Sequence, residues 1–205
     1  MREAGNIREV ESLGIDWMGF IFWPQSSRYC SVKPDYLPES CKRVGVFVNA
    51  DVLDIVDKYL EYHLDAIQLH GDEDKVYVWQ LRKALGAVGD ANFHPYQLIK
   101  AVSLTSAADF SSKCEPLVGF VDYFLFDTPT SGRGGSGRSF DWSLLDSYRL
   151  MTPFLLSGGI GPDSVESLNS FEHPCCEGFD LNSRFESEPG MKDVARLRTF
   201  LAELR

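Results

Sequence analysis

The sequence predicts an α/β fold of repeated strand–helix units, in one domain over residues 1–205. Short apolar segments alternate with helical patterns from one end of the chain to the other. Most of these apolar segments are continuous, which is typical of parallel strands that helices cover. A chain of 205 residues with 44% hydrophobic and 24% charged composition is also large enough to bury a substantial core.

Seven apolar segments are predicted to be strands. They are residues 16–23, 43–48, 66–70, 96–102, 123–126, 154–157 and 178–181.

Helical patterns lie before, between and after these strands. The chain opens with a helix over residues 2–13 and closes with one over residues 192–204. Asn49 or Asp51 can cap the helix after the second strand, and Pro162 suits the first turn of a later one. Eight helical segments and only seven strands favour a (β/α)8 TIM barrel that lacks its first β-strand. A doubly wound open sheet is the alternative.

Composition excludes several classes of protein. A net charge of −10 without a stripe of Lys and Arg disfavours nucleic-acid binding. The sequence has no run of about 18 apolar residues and no signal-peptide core, so we expect a cytoplasmic protein without membrane contact. Five cysteines, none in a C-x-x-C pair, predict reduced thiols and no metal site. The adjacent Cys175 and Cys176 are expected to stay reduced as well, because vicinal disulfides are strained.

Residues 121–142, VDYFLFDTPTSGRGGSGRSFDW, carry the strongest functional signal. An apolar strand ends at Asp127, a glycine-rich loop follows, and a helix start is predicted at residues 139–142. Glycines let backbone N–H groups approach an anion, and ligands lie at the carboxyl ends of parallel strands. The pattern predicts an acid beside a phosphate-binding loop, although such a loop also occurs without a ligand. The cations near predicted strand ends are Arg28, Arg133, Arg138 and Arg184.

Six segments occur in the order and spacing of one known family. They are GFIFWPQSSRY (19–29), RVGVFVN (43–49), IQLHGDE (67–73), LIKAV (98–102), FDTPTSGRGGSGRSFDW (126–142) and LSGGIGPDSV (156–165). Together they resemble phosphoribosylanthranilate isomerase, a family of (β/α)8 enzymes of tryptophan biosynthesis. The resemblance covers nearly the whole chain.

The resemblance implies an Amadori rearrangement of a small phosphosugar–anthranilate substrate. N-(5-phosphoribosyl)anthranilate becomes 1-(o-carboxyphenylamino)-1-deoxyribulose 5-phosphate. A general acid protonates the furanose ring oxygen, which opens the ring to a Schiff base, and a general base then removes the proton on C2. The protonated imine is the electron sink, so no cofactor or metal is implied. The expected assembly is a monomer or a homodimer.

Roles for individual residues follow from the resemblance. Asp127 matches the general acid, which must stay protonated near neutral pH. Arg28 matches the anchor for the anthranilate carboxylate, which a guanidinium can bind through two parallel hydrogen bonds. The implied phosphate and substrate-binding residues are Gly134, Gly135, Ser136, Gly137, Gly158, Gly159, Asp180 and Ser183. His70 is expected to be a wall residue, and Lys100 points either outward or into the barrel mouth.

Two features depart from the family pattern. The family's general base is a cysteine in a Lys-Val/Ile-Cys-Gly segment of the first strand, and no such segment occurs here. We expect an N-terminally shortened chain whose Met1 is an internal residue. In FDLNSRFE, residues 179–186, Arg184 replaces a glycine of the D-x-S-S-G pattern. Either the loop backbone differs here or the arginine adds a cation beside the phosphate.

Other phosphate-binding barrels fit the sequence less well. Indole-glycerol-phosphate synthase would require a catalytic lysine and glutamate at several strand ends, and ribulose-phosphate epimerase would require metal-ligating histidines and aspartates. Only four histidines are present, at positions 63, 70, 94 and 173, and matching carboxylates are lacking. A second alternative is a catalytically impaired barrel that binds the ligand but has no base. Turnover distinguishes this alternative from the isomerase.

Overall fold

The computed structural model describes residues 1–88, 95–127 and 142–204. Within them, seven strands form one parallel sheet whose order follows the chain, β1-β2-β3-β4-β5-β6-β7. The strands are β1 (Trp17–Ile21), β2 (Lys42–Phe47), β3 (Ala66–Leu69), β4 (Gln97–Ser103), β5 (Tyr123–Asp127), β6 (Phe154–Leu156) and β7 (Cys176–Phe179). All seven predicted strands are therefore present, and their ends shift by at most two residues.

The sheet has the strand order of a barrel. A doubly wound sheet reverses its order at a switch point, whereas this order runs in one direction only. The rings of Trp17 in β1 and Tyr123 in β5 meet edge to face, with centroids 5.4 Å apart. A flat sheet would separate strands four positions apart by about 19 Å. The sheet is therefore curled into a barrel, and in the described residues β1 and β7 are its two unjoined edges.

Helices cover the outer face of the sheet. The described α-helices are α1 (Ala4–Glu11), α2 (Val52–Tyr62), α3 (Lys75–Gly86), α4 (Val165–Ser170) and α5 (Val194–Glu203). Asp51 caps α2 as predicted, because its side chain accepts a hydrogen bond from the N–H group of Leu53. Shorter helical turns are Phe110–Cys114, Glu115–Leu117, Trp142–Ser147, Pro162–Ser164 and Ser183–Phe185.

Two segments differ from the predicted alternation. Residues 22–41, between β1 and β2, form an irregular connection without a helix. Between β7 and α5 lies a short antiparallel hairpin of β8 (Glu186–Glu188) and β9 (Met191–Lys192). The last helix therefore begins at Val194, with Asp193 as its cap, rather than at residue 192.

The side chains of the strands alternate between two cores. The larger core lies between sheet and helices and includes Phe20, Phe47 and Phe124. The smaller core fills the barrel interior and consists of Val44, Ala66, Ile99, Ala101 and Leu125. This alternation determines which strand residues point into the barrel.

Two further observations concern the described residues as a whole. All five cysteines of the sequence are free thiols. No helix in the described ranges combines the length and the apolar character needed to span a lipid bilayer.

Candidate active site

Asp127 lies at the carboxyl end of β5, on the interior face of the barrel. Leu125, two residues earlier, belongs to the interior core, and Tyr123 packs against the same core. Because strand side chains alternate, Asp127 continues this interior row. Its side chain is 28% exposed, so a ligand in the mouth of the barrel can reach the carboxyl group. This is the position at which ligands of such barrels are bound.

His70 is the neighbour of Asp127 that sequence reasoning left out. Its Nε2 atom lies 3.6 Å from Oδ2 of Asp127. Its Nδ1 atom is 2.9 Å from Nε2 of Gln68, which fixes the plane of the ring. If the Gln68 amide donates this hydrogen bond, the histidine proton is on Nε2 and faces Asp127. The signal for this contact was the row of residues 66, 68 and 70, which alternation places inside the barrel.

Asp180 lies on the same interior surface, at the carboxyl end of the edge strand β7. It follows β7, and its Oδ2 atom accepts a hydrogen bond of 2.9 Å from the hydroxyl of Ser157, which follows β6. Burial raises the pKa of Asp180, and the charge of Asp127 adds to this effect. The Ser157 hydrogen bond and the charge of Lys192 oppose it. Asp127 and Asp180 thus belong to one electrostatically connected group.

Arg28 follows β1 and is bound by a carboxylate of the protein itself. Its Nε atom donates to both carboxylate oxygens of Glu186, at 3.0 and 2.8 Å, and its Nη2 atom lies 2.7 Å from Oε2. Burial tends to raise the pKa of Glu186, but the bonds from Arg28 and the charge of Lys192 outweigh it and lower the pKa. A carboxylate is the group that the sequence predicts Arg28 to bind, although the partner here is internal.

Lys192 connects the Arg28–Glu186 pair with the surroundings of Asp180. Its Nζ atom lies 3.6 Å from Oε1 of Glu186 and donates hydrogen bonds to the carbonyl groups of Leu181 and Asn182, at 3.2 and 3.0 Å. Burial lowers the pKa of Lys192, while the charges of Glu186 and Asp180 oppose this change. Cations and anions therefore alternate from Arg28 through Glu186 and Lys192 to Asp180.

The predicted phosphate-binding residues have different positions. Gly158 and Gly159 follow β6 with φ values of +84° and +73°, a backbone conformation that favours glycine. Ser183 is exposed and starts the helical turn Ser183–Phe185. The remaining four predicted residues, Gly134, Gly135, Ser136 and Gly137, lie outside the described residues, as do Arg133 and Arg138.

Arg184, which stands where the family pattern has glycine, has a negative φ. Asn49 and His63 are the non-glycine residues with positive φ in the described ranges, so the loop does not place this arginine in a left-handed conformation. Its guanidinium binds Asp163 at 2.8 and 3.0 Å and the carbonyl group of Gly159 at 3.2 Å. The arginine thus adds a cation at the loop that contains Gly159.

Lys100 does not enter the mouth of the barrel. It shares a strand face with Leu98 and Val102, which pack into the core between sheet and helices. Its Nζ atom binds Glu73 at 3.1 Å and the carbonyl group of Gly71 at 2.7 Å. This buried pair ties β4 to the loop that follows β3.

The geometry supplies the parts of an acid–base site for an anionic ligand. A carboxyl group on the interior face can exchange a proton with a ligand, and a fixed guanidinium at the same end of the barrel can bind a carboxylate. Two glycines with left-handed backbone lie in the loop after β6, at the same end of the sheet. The arrangement suits a ligand with negative charge and a proton-transfer step at its centre.

Comparisons with known proteins identify the family. A family model described as N-(5'phosphoribosyl)anthranilate (PRA) isomerase matches residues 2–203. N-(5'-phosphoribosyl)anthranilate isomerase of Phocaeicola vulgatus is 48% identical over 205 residues, which cover 100% of this chain and 95% of that protein. The protein of the same name from Parabacteroides distasonis is 45% identical over 210 residues, covering 100% of this chain and 90% of that protein.

Solved structures of similar proteins point to the same family. The crystal structure of phosphoribosyl anthranilate isomerase from Thermotoga maritima matches with a TM-score of 0.74 at 30% identity, covering 99% of this chain and 94% of that one. A phosphoribosyl anthranilate isomerase in complex with reduced 1-(o-carboxyphenylamino)-1-deoxyribulose 5-phosphate matches with a TM-score of 0.70 at 28% identity, covering 99% and 97% of the two chains. The predicted barrel is thereby confirmed, and the chain belongs to the N-(5'-phosphoribosyl)anthranilate isomerase family.

Proposed function

We propose that this chain is a phosphoribosylanthranilate isomerase of tryptophan biosynthesis. The reaction is the Amadori rearrangement of N-(5-phosphoribosyl)anthranilate to 1-(o-carboxyphenylamino)-1-deoxyribulose 5-phosphate. The observation that carries the proposal is the position of Asp127, on the interior face at the carboxyl end of β5, in a chain of this family.

Asp127 is proposed as the general acid. It donates its proton to the furanose ring oxygen while the bond from C1 to that oxygen breaks, and the anthranilate nitrogen forms the Schiff base with C1. Loss of the proton on C2 then sends its electron pair to the nitrogen, and the enolamine tautomerises to the ketone. His70, 3.6 Å from Asp127, orients the acid. We assign no residue of this sequence as the acceptor of the C2 proton.

Arg28 is proposed as the anchor of the anthranilate carboxylate. A planar guanidinium binds a carboxylate in a fixed orientation and so aligns the reacting sugar with the acid. Its support is the contact with Glu186, in which Arg28 already binds a carboxylate through Nε and Nη2.

The phosphate is proposed to bind between the loop after β5, with Gly134, Gly135, Ser136 and Gly137, and the loop after β6, with Gly158 and Gly159. Arg184 donates to the Gly159 carbonyl group there and shares its charge with Asp163. Ser183, in the neighbouring turn, can donate a hydrogen bond from its hydroxyl group to the phosphate. Asp180 is an acceptor when ionised, so a sugar hydroxyl suits it better than the phosphate.

The direct test is turnover of N-(5-phosphoribosyl)anthranilate by the whole chain, followed by the fluorescence change of its anthranilate group and by chromatographic identification of the product. Formation of the aminoketose supports the isomerase. A folded protein that binds the reduced product analogue but converts no substrate would instead support the catalytically impaired barrel. Failure to bind the analogue would contradict both readings.

Other features remain predictions from the sequence. They are a single domain over residues 1–205, a monomer or homodimer as the assembly, a cytoplasmic location, and no nucleic-acid or membrane partner. Gel filtration with light scattering measures the assembly directly.

A further inference from the structure

One edge of the Arg28 guanidinium is taken by Glu186, a residue 158 positions away in the sequence. We propose that Glu186 is a positioning residue: it holds Arg28 by this edge and turns the opposite edge toward the carboxylate of the ligand. The inference rests on the proposed function, in which Arg28 anchors the anthranilate carboxylate. It assigns Glu186 a part in ligand recognition without contact to the ligand.

The guanidinium has donors for two carboxylates. Nε and Nη2 face Glu186, with distances of 2.8 Å to Oε2 for Nε and 2.7 Å for Nη2. The Nη1 atom and the second proton of Nη2 form the other edge, which presents a second fork of parallel N–H groups. In the described part of the chain, no hydrogen bond uses Nη1 of Arg28. A ligand carboxylate can therefore bind Arg28 without displacing Glu186.

Glu186 is held more firmly than the segment that carries Arg28. Its side chain is 5% exposed, against 25% for Arg28, and its Oε1 atom accepts a hydrogen bond of 3.1 Å from the N–H group of Gly190. The hairpin of Glu186 is attached to α1, because Asn6 exchanges two hydrogen bonds of 2.8 Å with the backbone of Lys192. Arg28 lies in the irregular connection of residues 22–41, so an external support is needed to fix its orientation.

Lys192 adds a second cation to this group. Arg28 and Glu186 alone form a neutral pair, which would attract an anion weakly. Lys192 adds a positive charge 3.6 Å from Oε1 of Glu186, with its side chain 12% exposed. Arg28, Glu186 and Lys192 together carry one unit of positive charge, and Asp180, whose charge acts on Lys192, offsets it in part. Lys192 thus contributes the second cation through its contact with Glu186.

The test compares two ligands in equilibrium titrations. The first is reduced 1-(o-carboxyphenylamino)-1-deoxyribulose 5-phosphate, and the second is the same compound without its ortho carboxyl group. Glu186→Gln is expected to weaken binding of the first about tenfold, the size of one charge-assisted contact. Binding of the second ligand should change less than about twofold. In steady-state kinetics KM should rise while kcat changes little.

A double-mutant cycle with Arg28→Met separates positioning from a general structural effect. If Glu186 acts through Arg28, Glu186→Gln adds no further loss once Arg28 is replaced. Asp122→Asn is the matched control, because it breaks the Arg82–Asp122 pair, 2.9 Å long, at the amino end of β5. This variant should bind both ligands like the original protein.

Several outcomes would overturn the inference. They are equal weakening of both ligands by Glu186→Gln, tighter binding of the carboxylated ligand, which would make Glu186 a competitor, and additive losses in the cycle. If the unmodified protein binds both ligands equally, Arg28 does not bind the carboxyl group of the ligand, and the inference fails. If it binds neither ligand, the proposed function itself fails. Should Glu186→Gln not fold, Lys192→Met must show the same selective loss, because it leaves Arg28 and Glu186 as a neutral pair.

Discussion

The Nε2 atom of His70 lies 3.6 Å from Oδ2 of Asp127, across the interior of the sheet between the ends of β3 and β5. The distance is long for a hydrogen bond, but the two polar groups face each other directly. Gln68, buried in β3 two residues before His70, holds the other ring nitrogen at 2.9 Å. The carboxyl group of Asp127 therefore faces a row of interior side chains from β3 and the residue after it.

His70→Asn is expected to lower kcat about tenfold, less than the loss of a group that transfers the proton itself, and to change KM little. The reason is that the variant keeps a polar side chain but loses the ring that faces Asp127. Steady-state turnover measures both constants. His63→Asn is the control: His63 is exposed at the end of α2 with φ of +50°, which asparagine tolerates. Equal kcat for His70→Asn and the unmodified protein would remove His70 from the site.

Lys100→Met is expected to destabilise the fold by about 3 kcal/mol, because it leaves the carboxylate of Glu73 buried without its cation. The Glu73 side chain is 1% exposed, and that of Lys100 is 7% exposed. Urea unfolding measures the change in the free energy of unfolding. Lys58→Met, which breaks the exposed pair with Glu61, should cost less than about 0.5 kcal/mol. Similar costs for the two variants would show that the Lys100 contact does not stabilise the loop that follows β3.

Glu11 predicts a component of acid sensitivity. Burial tends to raise its pKa, but hydrogen bonds from Tyr36, Ser40 and Glu39 lower it from 4.5 to about 2. A lowered pKa in the folded state means that the stabilisation is complete above the unfolded value near pH 4.5 and is lost as the pH falls toward 2. Glu11→Gln should therefore lower stability near neutral pH by about 2 kcal/mol and flatten its pH dependence in this window.

Thermal or urea unfolding of both proteins between pH 2 and 7 tests this prediction. The Glu11 carboxylate accepts hydrogen bonds from the N–H groups of Glu39 and Ser40, at 2.6 and 2.5 Å. The glutamine amide in Glu11→Gln can instead turn its NH2 group toward these two donors, which loses the hydrogen bonds. Parallel stability curves for Glu11→Gln and the unmodified protein would contradict the account. Glu9→Gln, a change two residues away at an exposed position of α1, should give such a parallel curve.

Much of the fold could be predicted because the strands are continuous apolar runs bounded by polar residues. The position of Asp127 followed from the strand that precedes it. The irregular connection of residues 22–41 and the hairpin around Glu186 were missed, since neither has a clear period of helix or strand over more than three residues. The helical spacing of residues 192–204 led us to predict Lys192 as part of the last helix, whereas it lies in the hairpin before that helix.

The partners of the site residues were harder to predict than their positions. Glu186 contacts Arg28 only because the curl of the sheet brings together the segments that follow β1 and β7, 158 positions apart in the sequence. No local pattern contains that information. The contact of His70 with Asp127 depends in the same way on the curl of the sheet, although strand alternation already placed both side chains inside. The outward direction of Lys100 follows from the same alternation, which leaves its side chain on the face with Leu98 and Val102.

The central claim is that Asp127 is the acid of an isomerase. Its most direct test is kcat on N-(5-phosphoribosyl)anthranilate for Asp127→Asn and Asp122→Asn, the same substitution at the two ends of β5. We expect Asp127→Asn to lose about a thousandfold in kcat while it still binds the reduced product analogue. Asp122→Asn should retain kcat within about threefold after any loss of stability is taken into account. Near-normal turnover by folded Asp127→Asn, or equal losses in the two variants, would contradict the account.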